Sequence, residues 1–352
     1  MSSNNVLVTG GIGYIGIHTC FTLLERGYNV YVLDSLINSS EKTLEIIKEY
    51  SKSLNSKGFK NIFKFYKGDI RNIKNIENVF SDALLNSKPI GGVIHFAGKK
   101  SVNESINFPM EYWETNLLGT INLIRVMNSY SCFNFIFSSS ASVYGKNSIS
   151  PIKEFERIEP INPYGNTKAT IEKFLIDVFN SKPNSWRIIL LRYFNPIGSH
   201  PSGLIGESPL EESTNIFPKI CEVAIRENNA FKIYGNDWPT KDGTCIRDYI
   251  HIMDLVEGHI CSYNHLLSHD PEINAFNLGT GKGTSVLELL SIFQEVNKCK
   301  IFYEYEQPRK GDVGVCFADN TKAKKIMNWY PKKSINEMCK DGWRWYKSNF
   351  KN

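Results

Sequence analysis

The sequence predicts an α/β protein in which a doubly wound parallel sheet is followed by a smaller C-terminal α/β domain. Short apolar runs alternate with stretches of helical length through the first 196 residues, a pattern typical of parallel strands covered by helices on both faces. The first apolar run leads directly into a glycine-rich turn. From Ser199 to Ser213 the sequence is rich in Gly, Pro and Glu, and shorter elements follow irregularly. We therefore predict two domains, residues 1–196 and 197–352.

The composition allows a large core and argues against several classes of partner. The chain has 352 residues, of which 41% are hydrophobic, and its net charge of +5 is small against 41 basic and 36 acidic side chains. Because the lysines are scattered, we expect no nucleic-acid partner. There is no N-terminal leader pattern and no apolar run of membrane-spanning length, so we expect no membrane association. Eight cysteines without a C-x-x-C pair predict reduced thiols in a cytoplasmic protein.

We expect no metal site. His265 and His269 have the i, i+4 spacing of metal ligands, but Asp270 is the one further ligand candidate near them in the sequence. A solvated helix end explains the two histidines better. His95 lies inside an apolar run and is predicted to be a core residue.

The first strand and helix enclose the glycine-rich turn. Val6–Val8 is predicted to be a buried strand, and a helix follows to about residue 27. Between them, Gly10, Gly13 and Gly16 give the G-x-x-G-x-x-G spacing, and Gly11 completes G-x-G-x-x-G. Glycine lets the backbone turn sharply and approach a pyrophosphate without a Cβ, while the helix N-terminus offers N–H groups and partial positive charge. This turn therefore predicts a dinucleotide phosphate site of the Rossmann type.

The second strand, Val30–Leu33, ends in Asp34. An acidic side chain at this point accepts hydrogen bonds from the adenosine ribose and repels a 2′-phosphate. Asp34 as a simple cap of the next turn is the alternative, but the complete strand–turn–helix–strand unit favours a ribose contact. We therefore predict NAD, not NADP, as the cofactor.

The later elements continue the same alternation. Beyond the carboxyl ends of the strands, where a doubly wound sheet binds its ligand, Asp69 can bond the adenine amino group or cap the following helix, and both roles can coexist. The turn that ends in Gly98 should line the same cleft. In order, we predict a helix over Glu41–Leu54, strands over Phe63–Tyr66 and Gly92–Ala97, a helix over about Pro109–Tyr130, a strand over Phe133–Phe137, a helix from Pro163 to about Asn180, and a strand over Trp186–Tyr193.

Tyr164, Lys168 and Ser140 are the candidate catalytic residues. Tyr164 and Lys168 are four residues apart at the start of a predicted helix and so share one face. A phenol is a poor base at neutral pH because its reference pKa is about 10, but an adjacent ammonium and a positively charged nicotinamide ring favour the phenolate. Ser140, at the end of the preceding strand, can share the hydrogen bond between the phenol oxygen and a substrate hydroxyl.

Taken together, these motifs resemble those of the extended short-chain dehydrogenase/reductase family and, within it, of the UDP-galactose (UDP-glucose) 4-epimerases. The resemblance covers nearly the whole chain. Besides the glycine-rich turn, it is carried by the segments Val93–Gly98, Phe135–Ala141, Pro163–Tyr164, Leu191–Pro196, Gly235–Asp237 and Arg247–His251.

The resemblance implies a set of binding residues at the matching positions. Two arginines suit a pyrophosphate because their fork-shaped donors can each bind two oxygens. The implied NAD ligands are Gly10, Gly13, Tyr14, Ile15, Gly16, Asp34, Asn38, Asp69, Ile70, Phe96, Ala97, Lys100, Asn116, Ser138, Tyr164, Lys168 and Tyr193. The implied UDP-sugar ligands are Ser140, Tyr164, Asn195, Asn215, Tyr234, Arg247, Tyr249, Arg309, Asp312 and Cys316.

The resemblance also implies the reaction. Residues 1–196 would bind NAD and residues 197–352 the UDP-sugar. Tyr164 would remove the proton of the sugar 4′-hydroxyl while C4′ passes hydride to NAD, and return of hydride to the other face of the 4-keto sugar would invert the centre. The products would be UDP-glucose and UDP-galactose. A homodimer through the helices predicted at Pro109–Tyr130 and Tyr164–Asn180 is implied as well.

Two departures from the family pattern bear on the substrate. The segment Glu207–Phe217 is more acidic than the usual loop before the uridine-contacting helix, which affects the position of Asn215. Cys316 stands where some relatives have a tyrosine beside the sugar 2′ substituent, so there is room for an N-acetyl group. We therefore expect that UDP-N-acetylglucosamine and UDP-N-acetylgalactosamine are also interconverted.

Two other functions share part of this pattern. A nucleotide-sugar 4,6-dehydratase would use the same cofactor and base, but it usually has Asp-Glu after the serine strand where this chain has Ala141-Ser142. A catalytically silent NAD-binding regulatory protein would retain the glycine-rich turn without any need for Tyr164, Lys168 and Ser140 together.

Overall fold

The structure, a computed structural model, describes residues 4–208, 215–226, 229–309 and 311–350. The strands are β1 Asn5–Thr9, β2 Asn29–Asp34, β3 Phe63–Lys67, β4 Gly92–His95, β5 Asn134–Ser140, β6 Arg187–Tyr193, β7 Asn195–Ile197, β8 Phe231–Tyr234, β9 Ile246–Arg247, β10 Tyr249–His251, β11 Ile273–Leu278, β12 Thr284–Ser285, β13 Tyr303–Glu306 and β14 Val315–Cys316. The helices are α1 Tyr14–Glu25, α2 Glu41–Ser56, α3 Ile73–Leu85, α4 Val102–Asn107, α5 Pro109–Tyr112, α6 Gly119–Ser129, α7 Pro163–Ser181, α8 Ile216–Arg226, α9 Ile252–Ser268, α10 Val286–Asn297, α11 Thr321–Met327 and α12 Ile335–Phe350.

The chain forms two compact units, and neither is continuous in sequence. The first contains Met1–Val143, Asn162–Arg192 and Gly258–Phe276, and the second contains Tyr144–Ile161, Tyr193–Glu257 and Asn277–Asn352. The division after Arg192 lies close to the boundary predicted after residue 196. However, residues 144–161 belong to the second unit although they precede this boundary, and residues 258–276 belong to the first unit although they follow it.

The first unit is built on a seven-stranded sheet of order β11-β6-β5-β4-β1-β2-β3. The pairings β1–β2, β1–β4, β2–β3 and β4–β5 are parallel, with Val6 opposite both Val30 and Gly92. Strand β1 therefore lies between β2 and β4, where the strand order reverses and ligands of doubly wound sheets bind. This topology confirms the predicted doubly wound α/β fold.

The core of the first unit packs strand side chains against helices. Val93 and Phe135 from the sheet, Leu123 from α6 and Leu175 from α7 are all fully buried in one apolar cluster. The short runs of β-branched and aromatic residues that predicted strands are thus buried in the way that a sheet covered by helices requires.

The helix predicted over about Pro109–Tyr130 is present, but it contains a π-helical segment that the sequence did not predict. The chain forms α5, a π-helical segment at Trp113–Leu118 and then α6. The wider turn holds the side chain of Asn116 in the interior, where it is 1% exposed. At Gly119 the backbone comes so close to Ile70 that an added Cβ would lie 2.4 Å from the Ile70 Cδ1 atom.

The second unit contains small sheets rather than one large one. β7 pairs with β10, β8 pairs with β13, and β9 lies between β12 and β14. Around them, α8, α10 and α12 contribute Phe217, Phe293 and Met338 to a separate apolar core. Within the described ranges no helix combines the length and hydropathy needed to cross a bilayer.

Candidate active site

The glycine-rich turn between β1 and α1 has little space for side chains. Gly10 has φ +68°, and a Cβ there would lie 2.6 Å from the backbone N of Ala97. A Cβ on Gly16 would lie 2.3 Å from the carbonyl oxygen of Gly10. Gly13 is the N-cap residue of α1 and has no side chain with which to cap that helix. Close backbone packing and an uncapped helix N-terminus fit the diphosphate of a dinucleotide.

Asp34 links this turn to the end of β2. Its Oδ2 atom accepts a hydrogen bond from the Ile12 N–H at 2.9 Å, and its Oδ1 atom accepts from the Leu36 N–H at 2.8 Å and the Ser39 hydroxyl at 3.0 Å. Asp34 therefore does stabilise the turn that follows β2. Each carboxylate oxygen has two lone pairs, so Oδ2 retains acceptor capacity toward a ribose, and the two interpretations of Asp34 are compatible.

Asp69 and Ile70 follow β3. The Asp69 carboxylate pairs with the Arg71 guanidinium at 2.6 Å, and this partner lowers the pKa of Asp69. The following helix, α3, is capped instead by Asn72, whose side chain accepts from the Lys74 N–H. The alternative role of Asp69 as a helix cap is therefore wrong. The Ile70 side chain lies in the core, which leaves its backbone as the part that could contact a cofactor.

The remaining predicted NAD ligands of the first unit differ in their environment. The backbone of Phe96 and Ala97 continues β4, with the Phe96 N–H donating to the Thr9 carbonyl at 2.9 Å, and approaches the glycine-rich turn. The side chains of Asn38 and Lys100 are exposed.

Asn116 is the most constrained of the predicted NAD ligands. Its amide oxygen accepts from the Lys99 N–H at 2.8 Å, and its amide nitrogen donates to the Lys99 carbonyl at 3.1 Å and the Thr167 hydroxyl at 3.0 Å. Asn116 therefore ties the loop after β4 to α7, one residue before Lys168. Its contacts with a cofactor stay a prediction.

The three candidate catalytic residues come together at the end of β5. The Lys168 ammonium donates to the Ser138 carbonyl at 2.7 Å and lies 5.9 Å from the centroid of the Tyr164 ring. The Ser140 hydroxyl lies beside the Tyr164 phenol and lowers its pKa, and the Ser140 oxygen is 3.2 Å from the Ser142 hydroxyl oxygen. The structure thus places a phenol, an ammonium and a hydroxyl in one cluster, as a proton-transfer site needs.

Burial favours the neutral forms of both titratable groups. It raises the pKa of the Tyr164 phenol, and the hydrogen bond from Ser140 only partly opposes that rise. It lowers the pKa of the Lys168 ammonium to about 8, while the Glu172 carboxylate acts in the opposite direction. The phenolate predicted from the sequence is therefore not favoured by the chain alone and needs a further positive charge.

In the second unit, two pairs of predicted substrate ligands are in contact. The Arg309 guanidinium stacks on the Tyr234 ring at 3.9 Å from its centroid, and the buried Arg309 Nε atom has no partner among the described residues. Arg247 lies opposite Cys316 in the β9–β14 pairing, and its Nη2 atom is 3.9 Å from the Asp312 carboxylate.

The charges of both arginines act on the thiol of Cys245. Burial raises the pKa of that thiol, Arg247 and Arg309 oppose the rise, and the Asp312 carboxylate adds to it. Two guanidinium groups near one point are suited to a diphosphate.

The other predicted substrate ligands are more dispersed. Asn195 lies on β7, with its N–H donating to the Asp248 carbonyl at 2.9 Å, directly after the buried Tyr193 and Phe194. Tyr249 is 2% exposed, and its hydroxyl has no hydrogen-bond partner in the described part of the chain. The exposed Asn215 donates to the Glu207 carboxylate at 2.7 Å. The rest of the acidic segment, residues 209–214, lies outside the described residues.

Comparison with known proteins agrees with this geometry. Residues 7–342 match the family profile described as GDP-mannose 4,6 dehydratase. The UDP-glucose 4-epimerase of Bacillus subtilis is 44% identical over 98% of this chain and 97% of its own length. The chain belongs to the UDP-glucose 4-epimerase family.

Solved structures of this epimerase family have the same fold. The UDP-glucose 4-epimerase of Bifidobacterium longum, in complex with NAD⁺ and UDP, is 39% identical with a TM-score of 0.89, and the match covers 98% of each chain. The UDP-Glc/GlcNAc 4-epimerase of Campylobacter jejuni is 31% identical with a TM-score of 0.80, and the match covers 98% of this chain and 99% of that one.

Two buried carboxylates of this epimerase-family chain lie near predicted ligands and were not predicted from the sequence. Glu172 lies one helical turn beyond Lys168 and pairs with Arg192 at 2.6 Å. Asp248 accepts from the Thr280 N–H at 2.7 Å, the Thr280 hydroxyl at 2.6 Å and the Ala318 N–H at 3.1 Å, between Arg247 and Tyr249. The available signal for Asp248 was its position inside Arg247–His251, one of the segments that carry the family resemblance.

The histidines of this epimerase-family chain gave one correct and one incorrect expectation. His95 is a core residue between the hydroxyls of Thr9 and Thr120, at 2.6 and 3.0 Å, and burial lowers its pKa to about 3. His265 is buried and bonded to the Glu272 carboxylate, so the solvated helix end expected for the two histidines is wrong for His265, while His269 is exposed just beyond the helix. The His265 ring stacks on His269 at 3.8 Å.

Proposed function

We propose that this chain interconverts UDP-galactose and UDP-glucose by inverting C4′ of the sugar, with NAD as a resident cofactor. The observation that carries the proposal is the cluster of Tyr164, Lys168 and Ser140 at the end of β5, in the same unit as a turn that fits a dinucleotide. The relatives named above are UDP-glucose 4-epimerases, which supports the same reaction.

Each catalytic residue has a defined task in this reaction. When bound, NAD accepts hydride from C4′ and returns it. Tyr164 takes the proton of the 4′-hydroxyl and later gives it back, and the Ser140 hydroxyl shares the hydrogen bond. Lowering a phenol pKa by about three units requires about 4 kcal/mol of differential stabilisation, which a nearby ammonium and a second cation can supply out of water. Lys168 provides that ammonium, held by the Ser138 carbonyl.

The NAD ligands are proposed at the positions named in the sequence analysis. Asp34 supports NAD over NADP because a 2′-phosphate would meet a carboxylate that is already fixed by three hydrogen bonds. In the second unit, Arg247, Arg309 and Tyr234 are proposed to hold the UDP group. Firm binding of the diphosphate would leave the hexose free to present either face of C4′.

We extend the substrate range to the N-acetylhexosamine derivatives. Cys316 is a small side chain opposite Arg247, and the family resemblance implies that a bulky residue at this position would meet the 2′ substituent. The Campylobacter jejuni relative is named a UDP-Glc/GlcNAc 4-epimerase, which is consistent with such a range within the family.

A homodimer in the cytoplasm completes the proposal. Apolar side chains are exposed on the helices expected to pair, with Met110 on α5 at 74% and Ile176 on α7 at 43%. All eight cysteines are free thiols, which suits a reducing compartment. The dehydratase alternative lacks support at Ala141 and Ser142, which cannot supply the acid and base that elimination of water requires.

The proposal is tested with purified protein and no added NAD. We expect conversion of UDP-galactose to UDP-glucose in a coupled assay, and release of NAD when the protein is denatured. Tyr164→Phe should retain the NAD and lose about 10²- to 10⁴-fold in kcat, the usual contribution of a proton-transfer group. Tyr330→Phe, an exposed tyrosine, is the matched control and should be fully active.

Two results would contradict the proposal. Bound NAD without turnover would identify a silent NAD-binding protein. A stable 4-keto-6-deoxy product would identify a dehydratase.

A further inference from the structure

Three consecutive serines at the end of β5 each meet a different residue of α7. The Ser138 carbonyl accepts from Lys168, the Ser139 hydroxyl donates to the Glu172 carboxylate at 2.5 Å, and the Ser140 hydroxyl lies beside the Tyr164 phenol, whose pKa it lowers. Along α7 these partners are spaced four residues apart, so they form one row on one face of the helix. The catalytic residues are two members of this row, and Glu172 is the third.

Glu172 is a buried charge with a complete set of partners. It is 2% exposed and accepts two hydrogen bonds from Arg192 on β6, one from Nε at 3.0 Å and one from Nη2 at 2.6 Å. A paired guanidinium and carboxylate fix each other's orientation as well as attracting each other. The pair therefore joins α7 to β6, while Ser139 joins it to β5.

A buried ion pair of this kind needs an explanation beyond stability. Replacing such a pair with apolar residues is often neutral or stabilising, because the cost of removing two charges from water can exceed their attraction. The position of the pair, one turn from Lys168 and one residue from Ser140, points to a role in the reaction instead.

We propose that Glu172 and Arg192 are positioning residues that set the depth and register of α7 against β5 and keep the Lys168 side chain in its charged form. The inference rests on the proposed function, since it assigns the pair to the proton transfer by Tyr164. Neither residue touches the reacting atoms.

The groups that face Lys168 support an electrostatic part of this role. Tyr164 and Glu172 lie on its own helix, the Phe137 ring and the Ser138 carbonyl face it from β5, and His95 faces it from β4. His95 is neutral because burial lowers its pKa to about 3. Of the described residues, Glu172 is therefore the anionic group that opposes the effect of burial on Lys168.

Three variants distinguish the effect of the Glu172 charge from the effect of its side-chain length. Glu172→Gln with Arg192→Met removes both charges and keeps an acceptor for Ser139, so no buried charge is left unpaired. Glu172→Gln alone removes the carboxylate. Glu172→Asp keeps the charge but is one methylene too short to bond Ser139 and Arg192 together. Asp82→Asn, which removes a carboxylate from α3 at its pairing with Lys64, is the matched control.

The pKa of Lys168 is read without turnover, from the pH dependence of trace acetylation followed by peptide mass spectrometry, with the exposed Lys52 as internal reference. We expect the pKa of Lys168 to fall by about one pH unit in Glu172→Gln, which leaves the Arg192 charge unbalanced, and to fall less in the double variant, which also removes that cation. Glu172→Asp and Asp82→Asn should leave it unchanged.

The kinetic readout separates positioning from mere structural support. We expect kcat for UDP-galactose to fall about ten-fold or more in all three Glu172 variants, with KM unchanged, because small displacements of a catalytic group have effects of this size. If the variants lose thermal stability but retain the wild-type kcat and Lys168 pKa, the inference is overturned. If the wild-type protein does not convert UDP-galactose, the proposed function fails, and the acetylation data still decide whether Glu172 controls Lys168.

Discussion

At the scale of single residues, Cys316 shows how burial determines what a side chain can offer a substrate. Burial raises the pKa of its thiol to about 11, so the side chain is uncharged at neutral pH even though Arg247 lies opposite. A neutral thiol does not compete with a diphosphate for the arginine. Its contribution to specificity is therefore its small volume.

Replacing Cys316 with a larger residue tests this interpretation. We expect Cys316→Tyr to reduce kcat/KM for UDP-N-acetylgalactosamine by about ten-fold or more while retaining activity on UDP-galactose, since misfit in a pocket contributes about 1–3 kcal/mol. Cys316→Ser, which keeps the size, should leave the ratio of the two activities unchanged. An unchanged ratio of the two activities in Cys316→Tyr would show that this residue does not determine which sugars are accepted.

At the scale of elements, the π-helical segment at Trp113–Leu118 holds a polar residue where an ordinary helix would not. Asn116 makes its three hydrogen bonds from this segment, to the Lys99 backbone and to Thr167 on α7. The segment therefore fixes two parts of the first unit, the loop after β4 and the start of the catalytic helix.

Asn116→Ala should destabilise the protein by about 2–3 kcal/mol, because the buried groups of Lys99 and Thr167 lose their partner. The measurement is the free energy of unfolding from urea denaturation. Asn128→Ala, at an exposed position near the end of α6, is the matched control and should change that free energy much less. Equal losses in the two variants would contradict the role given to Asn116.

The elements also show which features could be predicted from sequence. Strands such as β1 and β5 were predictable because each is a short apolar run ending in a functional turn. The π-helical segment was not, because the helical pattern continues through it and the break is stabilised by contacts with Lys99 and Thr167, far along the chain. Helix α3 was expected after Asp69, but no bounds were predicted for it, although Asn72 caps it.

The candidate site was predictable to the extent that its residues lie in local motifs. Tyr164 and Lys168 are four residues apart, and Ser140 ends a strand, so pattern and spacing were sufficient. Glu172 was missed because a glutamate on a helix is usually exposed, and its burial depends on Arg192, which lies 20 residues further along the chain.

At the scale of the whole molecule, chain order and spatial grouping differ. Residues 144–161 belong to the second unit, although the residues on both sides of them belong to the first. Residues 258–276 belong to the first unit, although the residues on both sides of them belong to the second. Such exchanges depend on contacts between distant segments, which composition and periodicity do not encode. From the sequence, only a single domain boundary near residue 196 could therefore be predicted.

The exposed apolar residues of the first unit allow a test of the proposed homodimer. We expect wild-type protein to sediment as a dimer and Met110→Glu to sediment mainly as a monomer, because a charge would be buried in the interface without a partner. Leu85→Glu changes an 85% exposed leucine on α3, outside the expected helix pair, and should remain dimeric. Identical sedimentation of all three proteins would place the contact elsewhere or exclude it.

The run of serines at the end of β5 has a consequence for how such enzymes can diversify. Ser138, Ser139 and Ser140 hold α7 against β5 directly. The segment between β5 and α7 that belongs to the second unit, residues 144–161, is therefore not needed to align these two elements. Insertions, deletions or exchanges in this segment should therefore leave the geometry of the acid–base residues in place.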